Sequence, residues 1–181
     1  PKSKIPTPNL EKLAKEGMIF TDGHSSSGIC TPCRYALLTG RYHWRKFHGI
    51  VNSFGNSAFD ADRLTMPEML KECGFATAAI GKWHLGWNWD AIKKPGAKPI
   101  KQGRGSGFSP DAFDWSKSIP NGPLDHGFDY YFGDTVINFP PYCWIENDKV
   151  VDVPDTIMDT SKWKESKEGG WECRAGPMFS G

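Results

Sequence analysis

The sequence contains no apolar run long enough to cross a bilayer, so we expect no transmembrane helix. No apolar segment follows the opening residues 1–4, and a recognisable signal peptide is therefore missing. An excess of one charge is also missing, because the formal net charge is only +1. This balance gives no indication of a nucleic-acid partner or of a membrane surface. The 38% of hydrophobic residues is typical of an ordinary globular protein.

Cysteine is scarce, which excludes a small fold built on disulfides. The five cysteines are Cys30, Cys33, Cys73, Cys143 and Cys173. Their number is odd, so at least one thiol is unpaired within the chain. No His/Cys cluster has the spacing of a zinc site, and we predict no structural metal from these residues.

Helix and strand signals alternate along the first half of the chain. Capping and proline signals predict three helices, which begin after Thr7, at Thr31 and after Thr65, each followed by a terminating glycine. Apolar runs at residues 18–21 and 75–80 have the length of buried strands. This order predicts an α/β fold in which ligands bind in loops at the strand ends.

The second half is poorer in regular signals. Residues 87–123 are rich in Gly, Pro, Lys and Trp, and we expect a long excursion over the surface. Such an excursion either frames a substrate pocket or is a solvated loop, and the sequence leaves both open. The aromatic residues 128–132 are predicted to pack in the core, while residues 136–137 and 150–151 are candidate short strands.

The most informative stretch surrounds Cys30, at the mouth of the second predicted helix. Free backbone N–H groups at that end favour an anion. Arg34 lies one turn further on and faces the same region. A reactive group, a helix N-terminus and a guanidinium together suit an oxyanion such as sulfate or phosphate.

A redox interpretation competes with anion chemistry. Cys30 and Cys33 form a C-x-x-C with Pro32 before the second cysteine, as in thiol–disulfide oxidoreductases. Such a site does not need the downstream residues 39–41, Thr-Gly-Arg, and the Trp that usually precedes its first cysteine is absent. A purely structural C-x-x-C is the third alternative.

The stretch resembles the signature C-x-P-S-R-x-x-x-L-T-G-R of the type I, formylglycine-dependent sulfatases, which belong to the alkaline-phosphatase superfamily. The matching residues are Cys30, Pro32, Arg34, Leu38, Thr39, Gly40 and Arg41. The sequence departs from the family at Cys33, where Ser is usual. This second thiol could form a disulfide with an unconverted Cys30.

A second segment, Gly81–Gly86, reads G-K-W-H-L-G and resembles another sulfatase motif. If the chain is extended there, Lys82 and His84 point to the same face, one as a fixed cation and one as a titratable donor. The resemblance implies that both contact the sulfate group. Asn138 lies where some relatives place a further sulfate contact. An isolated pair of this kind would instead indicate a surface lysine beside a hydrogen-bonded histidine.

The resemblance implies an α/β fold with part of an alkaline-phosphatase-like mixed sheet, sandwiched by helices and interrupted by long loop excursions. It covers most of residues 5–135 and is weak over residues 136–181. We expect residues 1–181 to form a single incomplete N-terminal catalytic domain. The family's calcium carboxylates and its further His and Lys do not match any residue here, so this chain alone should bind calcium poorly and should not turn over.

The implied chemistry is the hydrolysis of sulfate esters. A maturation enzyme oxidises Cys30 to formylglycine, whose hydrated diol attacks sulfur and expels the alcohol. In this scheme Arg34 holds the diol, Lys82 neutralises sulfate and leaving-group oxygens, and His84 donates a hydrogen bond. A calcium ion binds an oxygen of the modified Cys30 and acts as a Lewis acid.

Substrate and location follow only by analogy. The aromatic-rich loops favour a sulfated sugar over a small aryl sulfate, and the family acts mostly in the periplasm, the lysosome or outside the cell. A non-catalytic sulfated-glycan-binding protein with an unconverted cysteine is the main alternative. Phosphoryl-transfer relatives are disfavoured because they use Ser or Thr where Cys30 stands.

Overall fold

The computed structural model describes residues 4–100, 107–136, 139–159 and 176–180. The α-helices in these ranges are α1 (Pro8–Glu16), α2 (Cys30–Thr39) and α3 (Met66–Glu72). The strands are β1 (Ala78–Ile80), β2 (Pro99–Ile100), β3 (Gly107–Phe108), β4 (Tyr130–Gly133), β5 (Ile145–Glu146), β6 (Lys149–Val150), β7 (Thr156–Ile157) and β8 (Pro177–Met178). Short 3₁₀ turns lie at His43–Arg45, Trp89–Ala91, Pro110–Ala112 and Pro123–His126. None of the helices in the described ranges has the length and apolar character needed to cross a membrane.

The main sheet is mixed and has the strand order β1-β4-β5-β6. β1 and β4 run parallel, with Ile80 opposite Phe132. β5 and β6 form an antiparallel hairpin whose turn residue Asn147 has a φ of 58°. Two further antiparallel pairs, β2 with β3 and β7 with β8, lie outside this sheet. The partly parallel sheet beside helices confirms the predicted α/β class.

The three predicted helices are confirmed, each with its own boundary chemistry. At α3 the Thr65 hydroxyl accepts a hydrogen bond from the Glu68 N–H, and the Glu68 carboxylate accepts one from the Thr65 N–H at 2.7 Å. α2 ends at Gly40, whose φ of 64° is the left-handed conformation that glycine adopts without strain. α1 follows Thr7, which makes no side-chain capping bond.

The hydrophobic core is built largely from aromatic side chains. Trp87, Trp89, Phe113 and Tyr131 are all buried in one cluster. The first three belong to residues 87–123, so the expected surface excursion is wrong for these side chains. The segment has no α-helix among its described residues, yet it turns its rings inward because burying large apolar area outweighs the lack of regular structure.

The predicted buried strand at residues 18–21 is also wrong. Met18, Ile19 and Phe20 form no strand and are 77%, 67% and 80% exposed. A strand needs a neighbouring edge to satisfy its backbone groups, and no described segment pairs with this one. The apolar residues Leu10 and Leu13 of α1 are likewise exposed. Apolar composition predicted burial correctly only where a partner element is at hand.

Candidate active site

Cys30 is the first residue of α2 and is half-buried. Ile29, the N-cap, makes no side-chain cap, so the first N–H groups of the helix remain available to an anion. The next residue, Thr31, is fully buried, and its hydroxyl donates to the backbone carbonyl of His84 at 2.8 Å. The same hydroxyl accepts from the Val51 N–H at 3.1 Å. The start of α2 is therefore fastened to the segment that carries His84.

Arg34 makes the second link between the two predicted motifs. Its Nη1 donates to the backbone carbonyl of Lys82 at 2.6 Å, across 48 positions of sequence. A guanidinium has further donors, so this bond fixes the side chain while leaving other N–H groups free for an oxyanion. The structure thus brings Cys30, Arg34, Lys82 and His84 into one region, although they come from two separate segments.

The continuation of β1 holds Lys82 and His84 in place. The N–H groups of Gly81, Trp83 and His84 donate to the carbonyls of Phe132, Asp134 and Thr135, respectively, at 2.8 to 3.1 Å. The buried Tyr131 hydroxyl lies within hydrogen-bonding distance of the carbonyls of Gly81 and Asp134. The ladder between β1 and β4 therefore extends into the site.

His84 departs from the expected geometry. Its φ of 52° is left-handed, so the chain is not extended there, and alternation does not put its ring on the same face as Lys82. The ring is buried, and Nε2 lies 2.8 Å from the Val51 carbonyl. Burial lowers the pKa of His84 to about 4; the bond to Val51 opposes this, while the charges of Lys82 and Arg34 add to it. The imidazole is neutral at pH 7.

Asp134 is a site neighbour that the sequence did not indicate. Burial raises its pKa, whereas the charges of Lys82 and Arg34 lower it. With Asp152 and the exposed Trp144 it lines a cleft of about 380 Å³. Asp134 directly follows β4, so its place beside the Lys82 segment depends on how β4 pairs with β1.

The described cysteines Cys30, Cys33, Cys73 and Cys143 are free thiols. The Cys33 sulfur lies 3.6 Å from the Ser25 hydroxyl. Cys30 and Cys33 are therefore not disulfide-bonded, although they share the first turn of α2.

The described part of the chain has no cluster of acidic, histidine and cysteine side chains of the kind that holds a metal ion. Residues 4–100, 107–136, 139–159 and 176–180 contain no group of three His, Cys, Asp or Glu that could hold a metal ion. Asn138, the predicted additional sulfate contact, lies outside the described residues.

A family model described as Sulfatase matches residues 2–164. The chain belongs to the sulfatase family. Two similar sulfatases are an N-acetylgalactosamine-6-O-sulfatase of Bacteroides thetaiotaomicron, 34% identical over 171 residues, and the human N-acetylgalactosamine-6-sulfatase, 32% identical over 146 residues. The matches cover 93% and 75% of this chain but only 29% and 22% of those proteins.

Solved structures agree with this assignment. One solved structure comes from work on the metabolism of multiple glycosaminoglycans by Bacteroides thetaiotaomicron. It matches this chain with a TM-score of 0.58 and 34% identity, over 91% of this chain and 30% of that one. The crystal structure of Ps i-CgsB matches with a TM-score of 0.51 at 24% identity, over 80% of this chain and 31% of that one. The second likeness supports the fold alone. This sulfatase chain spans about a third or less of each of these proteins.

Proposed function

We propose that the protein is a sulfuric ester hydrolase whose reacting residue is position 30. One observation carries this proposal: the N-terminus of α2, which begins with Cys30, is bonded directly to the Lys82–His84 segment. The two bonds run from Thr31 to the His84 carbonyl and from Arg34 to the Lys82 carbonyl. Free helix N–H groups and a guanidinium on the same helix as the reactive residue, bonded to a segment that carries a lysine, suit a sulfate ester.

The roles follow from charge and position. Formylglycine, made from Cys30 by a maturation enzyme, would supply a hydrated aldehyde as the nucleophile. Arg34 orients that group and stabilises negative charge on it. Lys82 neutralises the sulfate oxygens and charge on the leaving oxygen. For His84 to donate to sulfate, its Nε2–H must leave the Val51 carbonyl, which it contacts at 2.8 Å in this structure.

The substrate we propose is a sulfated sugar. The similar bacterial and human proteins are named as sulfatases of N-acetylgalactosamine carrying a 6-sulfate, and this is the first compound to test. The periplasm, the lysosome and the extracellular space are the proposed sites of action. Calcium binding through position 30 stays a prediction, since the described residues contain no group of three His, Cys, Asp or Glu side chains that could hold the ion.

The alternative is a sulfated-glycan-binding protein in which Cys30 stays a thiol. The free thiols of Cys30 and Cys33 are compatible with this alternative. A mass measurement of the peptide that contains Cys30 separates the two, because conversion replaces sulfur by oxygen. A Cys30 peptide that keeps its sulfur would favour a protein in which residue 30 acts as a thiol. Whether that thiol has a redox function is tested by a disulfide-reductase assay that compares the wild type with Cys30→Ser.

The decisive experiment replaces the reacting residue in the full-length protein. We expect Cys30→Ala to abolish sulfate release from N-acetylgalactosamine 6-sulfate, because the alanine side chain cannot be oxidised to an aldehyde. Cys73→Ala is the matched control, since Cys73 is exposed and lies at the end of α3. Substantial turnover by purified Cys30→Ala would refute the assignment.

A further inference from the structure

His84 is one of the residues that line a small cavity. Its volume of about 10 Å³ is that of a single water-sized site. Three groups of residues line it: residues 51–55, the four residues His84, Gly86, Trp87 and Trp89, and the three residues Thr135, Val136 and Pro140. The cavity therefore lies where the His84 segment meets the extension of β4.

Polar atoms on this lining have no hydrogen-bond partner among the described residues. They are His84 Nδ1, Trp87 Nε1, Thr135 Oγ1 and Ser53 Oγ. His84, Trp87 and Thr135 are only 4%, 1% and 8% exposed, so bulk water does not reach them readily. Buried polar groups are normally paired, and unpaired polar groups that line one cavity indicate a polar ligand inside it.

The chemistry of these atoms defines the ligand. His84 Nε2 bonds to the Val51 carbonyl, which can only accept, so Nε2 carries the hydrogen and Nδ1 presents a lone pair. The Trp87 indole N–H can only donate. The hydroxyls of Thr135 and Ser53 can do either. The ligand must therefore donate to one atom and accept from another.

We propose that this cavity is a binding site for one water molecule, which donates to His84 Nδ1 and accepts from Trp87 Nε1. Its second hydrogen and second lone pair are matched by the hydroxyls of Thr135 and Ser53, so all four positions of a tetrahedral water are used. A cation does not fit, because the indole N–H of the lining residue Trp87 can only donate a hydrogen bond. An anion is excluded by the lone pair of His84 Nδ1.

The water gives His84 a partner on each ring nitrogen. It also links the imidazole ring to the Thr135 hydroxyl. The backbone N–H of His84 already donates to the backbone carbonyl of Thr135 at 2.8 Å. Thr135 and Trp87 are thereby positioning residues for the imidazole. The site depends only on the fold and holds whether or not the protein cleaves sulfate esters.

A crystal structure of the full-length protein, at a resolution that shows ordered waters, tests the proposal. We expect one peak within hydrogen-bonding distance of His84 Nδ1 and Trp87 Nε1. Thr135→Ser keeps the hydroxyl and should keep the peak, whereas the isosteric Thr135→Val should lose it. An empty cavity in the wild type, an anomalous signal from a metal, or an unchanged peak in Thr135→Val would overturn the proposal.

Nitrogen NMR of labelled histidine gives an independent test in solution. The Nδ1 resonance of His84 should show an accepted hydrogen bond in the wild type and in Thr135→Ser. In Thr135→Val the chemical shift of Nδ1 should move to the value of a ring nitrogen that accepts no hydrogen bond. Identical resonances in all three proteins would contradict the water site. If Thr135→Val does not fold, the wild-type density decides alone.

Discussion

At the scale of single residues, Lys82 and Arg34 are the two cations that act on both His84 and Asp134. Their charges lower the pKa of His84 and oppose the effect of burial on the Asp134 carboxyl. Both cations therefore lie close enough to this pair of side chains to act on their protonation. Fixed cations of this kind suit an anionic ligand better than a neutral one.

Lys82→Gln should lower kcat/KM for sulfate release by about 10²–10³-fold, because a preorganised charge at the sulfate oxygens is lost. Initial rates of the full-length protein measure this. Lys94→Gln is the matched control, since Lys94 is exposed and lines a separate cleft that does not include Lys82 or His84. Rates for Lys82→Gln equal to those of the control would remove Lys82 from the proposed machinery.

His84 should make stability depend on pH. Its pKa is about 4 in the folded chain and near 6.5 when unfolded, so between these values the unfolded state binds the extra proton. The free energy of unfolding should therefore be unaffected above pH 6.5. It should fall by up to about 3 kcal/mol as the pH drops to 4.

Denaturant titrations at several pH values check this prediction. His84→Asn should be less stable overall but should show a flatter slope between pH 6.5 and 4. Part of the slope should remain, because burial also lowers the pKa of His126. An identical pH dependence in the wild type and His84→Asn would contradict the buried, neutral imidazole.

At the scale of elements, helices were predicted better than strands. The start of α3 was readable because Thr65 and Glu68 bond to each other within four residues of sequence. The strand at residues 18–21 was predicted wrongly because a strand depends on a distant partner. β1 is shorter than the apolar run 75–80, since only Ala78–Ile80 pairs with β4.

Thr65→Ala should destabilise the protein by about 1–2 kcal/mol. The Thr65 hydroxyl caps α3 and also donates to the His126 carbonyl at 2.8 Å, and its loss leaves buried groups unpaired. Thr7→Ala is the matched control, since Thr7 precedes α1 without a capping bond. Thermal or denaturant unfolding measures both, and equal losses would show that capping is not the cause.

At the scale of the whole molecule, the site depends on the register of the main sheet. Gly133 ends β4 beside Gly81, and a Cβ at residue 133 would meet the Gly81 backbone. This close approach brings the Lys82–His84 segment alongside Asp134 and Thr135. Because Gly133 has no Cβ, the two backbones approach each other more closely than any residue with a Cβ at this position would allow.

Gly133→Ala should destabilise the fold by about 1–3 kcal/mol or more, since rigid backbone must move aside. It should also lower the rate of sulfate release, because Lys82 would shift with the displaced strand. Gly23→Ala is the control: a Cβ there meets nothing within 4 Å, and the change should stay within about 0.5 kcal/mol. Unfolding curves and initial rates of both variants test the prediction.

The sequence by itself determined the chemical groups, the three helices and the resemblance to sulfatases, because capping, helix periodicity and the Cys30 motif act over a few residues. Only the tertiary structure decided that His84 turns inward, that Asp134 joins the site, and that the rings of residues 87–123 are buried. These features depend on contacts between segments far apart in the chain. Such contacts follow from strand register and competition for the core, which local patterns do not encode.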